Sequence, residues 1–165
     1  MGKIEGIKPN NFDRLIALAE EVFDMRSDPE QLDVNPEVRE KMMALHPACL
    51  NEFKNEDGPL IWLLAFPTTK ELADRFIAGE ISEKQLFDLT PLNVPYHSIY
   101  LCSALALPEA RGTGKVTALA LAAIEQMRND HAIEELLVWP FTKEGDGLAE
   151  KLKARTGLNM RMRRR

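Results

Sequence analysis

Apolar positions along the chain alternate between a helical and an extended period, and the points of change divide it into elements. After Pro9, the residues Phe12, Leu15, Ile16, Ala19, Val22 and Phe23 recur at helical spacing. They predict a helix with one buried stripe, capped by Asn10 or Asn11. Asn35 as cap and Pro36 in the first turn announce a second helix to about Leu45, and Pro47 cannot extend it. Cys49 to Phe53 and the apolar run Leu60 to Phe66 flank the turn cluster Asn55 to Pro59, which predicts a hairpin. Thr68 with Glu71, and Ser82 with Gln85, have capping-box spacing and predict helices over Thr69 to Ala78 and Glu83 to Leu89.

The second half repeats the alternation. His97 to Leu107 is a strand candidate stopped by Pro108. Gly112 and Gly114 then open a long helix with Val116, Leu119, Ala120, Ala123, Ile124 and Met127 on one face. Glu134 to Phe141 returns as a strand, and Gly145 to Arg155 is a short helix ended by Gly157. Leu158 to Met162 is a last strand, and Lys3 to Lys8 is a further candidate at the front. The pattern describes one α/β (α+β) domain over 1–165, with a helical insertion at about 68–93. That charged insertion reads as a lid or a dimer element near an acceptor side, or as a cover for a sheet edge.

Composition narrows the function classes. The chain has 165 residues, 45% of them hydrophobic, which suits one domain with a full core. Its 21 basic and 26 acidic residues give a net charge of −5, which argues against a general nucleic-acid partner. The run Arg161, Met162, Arg163, Arg164, Arg165 reads as a solvated tail or as a contact for an acidic partner. Cys49 and Cys102 make no disulfide framework, and His46, His97 and His131 lack metal-ligand spacing, so no metal is expected. The start lacks a signal-peptide pattern, and no run approaches the roughly 20 apolar residues that span a bilayer. The expectation is a cytoplasmic protein without a membrane partner.

The stretch Leu105 to Thr117 carries the chemistry. A strand runs into a glycine-containing loop that opens a helix, which aims backbone N–H groups and the positive helix end at one spot. A phosphate or pyrophosphate is the natural ligand; a tight strand-to-helix turn that uses glycine for geometry alone is the other reading. Gly114-Lys115 fits the middle of a Walker loop. However, Glu109 stands where the first Gly belongs, and Val116 replaces the magnesium-binding hydroxyl.

Pro108-Glu109-Ala110-Arg111-Gly112-Thr113-Gly114 resembles the pyrophosphate loop of GNAT acyl-CoA N-acyltransferases, Arg/Gln-x-x-Gly-x-Gly/Ala after a strand. Asp146-x-x-Ala149-x-x-Leu152-Lys153 followed by Thr156-Gly157-Leu158 is similar to the family's second conserved region, Asn-x-x-Ala-x-x-Leu-Tyr then Gly-Phe. The element order also matches over most of the chain. The resemblance implies a central mixed, mostly antiparallel sheet flanked by helices, and acetyl-CoA as co-substrate for an N-acetyltransferase. Arg111, Gly112, Thr113, Gly114, Lys115 and Val116 would hold the pyrophosphate, and Leu105, Ala106 and Leu107 the pantetheine arm. The acceptor would be a small-molecule or peptide amine, and the insertion leaves room for a homodimer.

Departures from the family pattern open alternatives. Val116 stands at the family's last Gly or Ala, Asp146 at its Asn, and Lys153 at the Tyr that protonates the leaving thiolate. Lys153 as acid, and Tyr100, Ser103 or His97 as base, are the catalytic candidates; each also has an ordinary structural reading. The alternative function is a GNAT-fold binding or regulatory module that does not catalyse. An unrelated α/β domain would be marked by the lack of a strand before Arg111.

Overall fold

The elements form where the periodicity changes. The computed structural model describes residues 10–26, 32–140 and 143–163, with side chains at all of these except 23–26 and 143–145. The front strand expected at Lys3 to Lys8, and Phe141, lie outside them. The order is α1 (Asn11–Arg26), α2 (Pro36–Leu45), β1 (Leu50–Asn55), β2 (Gly58–Thr68), α3 (Lys70–Ile77), α4 (Glu83–Leu89) and β3 (Ser98–Ala106). It continues with α5 (Lys115–Asp130), β4 (Glu135–Val138), α6 (Lys143–Thr156) and β5 (Asn159–Met162).

The five strands make one mixed sheet in the order β1-β2-β3-β4-β5, an α+β fold flanked by helices. The β1–β2 and β2–β3 pairings are antiparallel, and the shorter β3–β4 and β4–β5 pairings are parallel. Most of the paired length is therefore antiparallel. β3 is the pivot. Ser98 to Leu101 pair with Glu135 to Val138 of β4, whereas β2 follows β3 all the way to Ala106. Opposite Leu64 and Ala65 the register slips, which leaves Cys102 as an extra residue where β3 and β4 part.

An aromatic layer locks the N-terminal half of β3. Phe66 and Tyr100 are directly opposite on β2 and β3, and their rings are 5.4 Å apart. Phe76 of α3 meets Tyr100 at 5.1 Å, and Phe87 of α4 meets Phe66 at 5.2 Å, all edge to face. All four rings are buried. The insertion is thus a layer of the core on the face of the sheet. Phe76 and Leu86 of this layer have no exposed surface at all.

Several local readings change once partners are visible. Asn10 caps α1, its Oδ1 accepting the Asp13 N–H at 2.8 Å. Buried Asn11 instead ties the helix to the hairpin through Asn55 and the Gly58 carbonyl. The α1 stripe is only partly buried: Leu15 is in the core, while Phe12 and Ile16 are exposed. Thr69, not Thr68, caps α3. The Thr68 hydroxyl is spent on Thr90, whose own proton goes to the Leu86 carbonyl. The Ser82–Gln85 capping box is present in both directions.

The arginine run is not a solvated tail over its described part. Arg161 lies in β5, 2.6 Å from Asp74 and 3.4 Å from Glu135. Arg163 is buried between the Phe76 and Trp139 rings, at 4.7 and 4.8 Å, and donates to the Ile81 carbonyl at 2.6 Å. β5 therefore fastens α3 and the turn after it to the sheet.

Candidate functional site

Beyond Leu101 one edge of β3 faces no strand among the described residues. The Leu107 N–H donates to Leu60 O at 2.9 Å, which fixes the hydrogen-bonding phase. Leu107, Leu105 and Ser103 then point their backbone groups at β2, and Ala104 and Ala106 point theirs at the open edge. Of the expected strand residues Leu105, Ala106 and Leu107, only Ala106 presents its backbone to that edge. Ala104 joins it, which strand phase alone does not reveal in a sequence.

A short turn at Pro108–Ala110 carries the chain from this edge into the glycine loop. Gly112 and Gly114 have φ of +72° and +82°, the left-handed region that costs a side chain about 1–2 kcal/mol. A Cβ at either position would meet nothing within 4 Å, so the space above the loop is open. The first turn of α5 closes only with Ala118 N–H to Gly114 O. The N–H groups of Gly112, Thr113, Gly114, Val116 and Thr117 have no acceptor among the described residues. With the dipole of a 16-residue helix behind them, these groups make the loop an electropositive spot of the kind that suits an anion.

The side chains of the loop serve other ends. Arg111 Nε donates to the Ala106 carbonyl at 2.9 Å and so ties the loop back to the strand end. The Thr113 hydroxyl closes the turn onto Ala110 O. Lys115 lies over the Phe53 ring at 4.8 Å. Val116 packs inward with Leu119 against the small cluster of Leu15, Leu60, Ile61, Leu107 and Ala110. Its branched side chain therefore fills the floor beneath the loop. Glu109 forms a two-pronged pair with Arg14 of α1, at 2.6 and 2.8 Å, which holds its carboxyl down to about 2. The residue that breaks the Walker pattern is thus the anchor of the turn.

The catalytic candidates do not gather in one place. Tyr100 is buried in the aromatic layer, with its hydroxyl bonded to the buried Glu83 carboxylate. Lys153 is exposed near the end of α6, in a groove with Glu150, Ala154, Gly157 and Leu158 that contains no residue of the loop. His97 precedes the N-terminal end of β3, the end away from the loop. Both nitrogens of His46 are engaged, Nε2 with Asp130 at 2.6 Å and Nδ1 as acceptor from Ala48 N–H. Ser103 alone is beside the open edge, half-buried and opposite Leu64. In the stretch Asp146 to Leu158, Ala149, Leu152 and Leu158 are buried while Asp146 and Lys153 are exposed, so the spacing of the apolar residues follows the inner face of α6 and the turn after it.

Two features escaped sequence reasoning. Trp62 lies opposite both Glu52 and Leu105, on the same sheet face as Ser103, and Phe12 of α1 meets its ring at 5.6 Å. The Glu109–Arg14 pair spans the chain from α1 to the turn before the loop. No local pattern signals either one, because the partners are far apart in sequence. No helix among the described residues is long and apolar enough to cross a membrane. No protein-family model matches the chain, and no curated protein or solved structure matches it.

Proposed function

We propose that the chain is an N-acetyltransferase of GNAT type, moving an acetyl group from acetyl-CoA to an amine. One observation carries the reading: the β3 edge at Ala104 and Ala106, which meets no strand among the described residues, leads through the Pro108–Ala110 turn into a loop with five N–H groups that have no acceptor among those residues. The loop fits a pyrophosphate, since its glycines leave open space and Val116 is turned into the floor. The edge fits the amide-bearing arm of the cofactor, which would pair with it as an added strand does. Arg111 has only its Nε engaged among the described residues, so its terminal nitrogens can reach a phosphate while it braces Ala106.

In the reaction the amine nitrogen attacks the thioester carbonyl carbon and the carbon–sulfur bond breaks. The departing thiolate takes up a proton and the new ammonium gives one up. Outward N–H groups at Ala104 or Ala106 would polarise the carbonyl oxygen. Ser103 would orient the amine on the adjoining face. A second reading, a binding module without turnover, is favoured by the placement of Tyr100 in the core and Lys153 in a separate groove.

Calorimetric titration with acetyl-CoA, repeated on Gly114→Trp, tests the proposal. Saturable binding that the variant loses while keeping its melting temperature within a few degrees supports it. No heat at millimolar cofactor overturns it. Free-thiol release in the presence of amines separates the enzyme from the silent module.

A further inference from the structure

We propose that the face beside the open strand edge binds an aliphatic diamine, with its distal ammonium held by Glu52, Trp62 and Phe12. Reading the diamine as the acetyl acceptor rests on the acyltransferase proposal; the cation subsite itself stands on its own geometry.

Glu52, Trp62 and Leu105 are directly opposite one another on three adjacent strands, so all three side chains lie on one face. Trp62 Nε1 donates to Glu52 Oε1 at 2.9 Å. That bond fixes the carboxylate and leaves its second oxygen without a partner among the described residues. Phe12 stands edge to face with Trp62 although 52% of its surface is exposed, and Ile16 one turn on is 38% exposed. An anchored carboxylate beside two aromatic rings attracts a cation that keeps an apolar stem, because the rings favour the charge and Ile16 and Leu105 cover the methylenes. A neutral or anionic ligand would gain nothing from Glu52.

The surrounding charge has the same sign. Asp13, Glu56 and Asp57 flank the patch on α1 and the hairpin turn. Of the nearby cations among the described residues, Arg14 is neutralised by Glu109, Lys115 lies over the ring of Phe53, whose side chain is on the other face from Glu52, and Arg111 is tied to the Ala106 carbonyl, which leaves Lys54 on this face. From Glu52 to β3 is two strand spacings, roughly 10 Å. An extended alkyl chain with an ammonium at one end would place its other nitrogen near Ser103, one residue pair along the same face.

The test uses the intact chain and 1,5-diaminopentane, with n-pentylamine and 1-pentanol as controls at fixed ionic strength. The chain has two tryptophans, and Trp139 is buried, so a change in tryptophan fluorescence reports on Trp62. The expected response is saturable with the diamine, about threefold weaker with the monoamine because only the surrounding acidic residues act on the second ammonium, and absent with the alcohol. Glu52→Gln, at an exposed site, should weaken diamine binding about tenfold, and Phe12→Ala by a smaller factor. Equal responses to diamine and alcohol, or an unchanged Glu52→Gln titration, overturn the proposal. Acetyl-CoA titration of the same samples separates the two readings. Diamine binding without cofactor binding upholds the subsite and overturns the acyltransferase, whereas cofactor binding with no diamine response does the reverse.

Discussion

The two halves of β3 are built from similar residues and have opposite fates. Ser98 to Leu101 have a strand on each side and an aromatic layer above, and Ile99 and Tyr100 have no exposed surface. Cys102 to Ala106 have β2 as their one neighbouring strand among the described residues, and all five residues are half-buried or exposed. The boundary is the register slip at Cys102, after which the bond-bearing edge turns outward at Ala104 and Ala106. A single strand can thus supply rigidity at one end and unpaired hydrogen-bonding groups at the other, because the rigid half pins the open half in place. Loops seldom hold such groups as firmly.

Breaking the rigid half should have the largest effect. Phe76 touches Tyr100, Trp139 and Arg163, so Phe76→Ala should cost about 3–5 kcal/mol in denaturant unfolding. A loss under about 1 kcal/mol would mean that the aromatic layer does not lock β3. Hydrogen exchange measures the contrast directly: the amides of Ala104 and Ala106 should exchange at least about tenfold faster than those of Ile99 and Tyr100. Equal protection would show that another segment covers the edge.

A smaller effect is expected at the loop. Gly114→Ala forces a side chain into a φ of +82°, for about 1 kcal/mol of lost stability without a packing clash. A neutral result would show that the loop relaxes freely. The smallest effect concerns the anchor. Because Arg14 lowers the Glu109 carboxyl from its ordinary 4.5 to about 2, the folded state binds fewer protons than the unfolded chain in that window. The stability advantage of the parent over Glu109→Gln should be full above about pH 4.5 and fade as pH falls towards 2. A pH-independent difference in melting temperature would show that the pair contributes nothing through its charge.

What was legible in the sequence is what neighbouring residues settle among themselves. The Ser82–Gln85 box, the Asn35-Pro36 start of α2, the buried face of α5 and the left-handed Gly157 after α6 follow from local hydrogen bonding and periodicity. The strand–glycine–helix order around Arg111 was legible for the same reason. Thr68 misled because its hydroxyl found Thr90 across the insertion before it could cap α3. Tyr100 was open to a catalytic or a structural reading, and the aromatic partners that bury it come from α3 and β2.

By itself, then, the sequence determined the elements, their order, the mixed α+β class and the place of the glycine loop. Tertiary structure decided where β3 parts from β4, which backbone groups face outward, and what the charged residues do. Arg163 shows the reason. Read along the chain it belongs to a basic tail, but Phe76, Ile81 and Trp139 surround it, and its contacts with the first two cross about half of the sequence. Whether a charge is solvated, paired or stacked depends on what the folded chain brings to it, and local sequence carries no record of that.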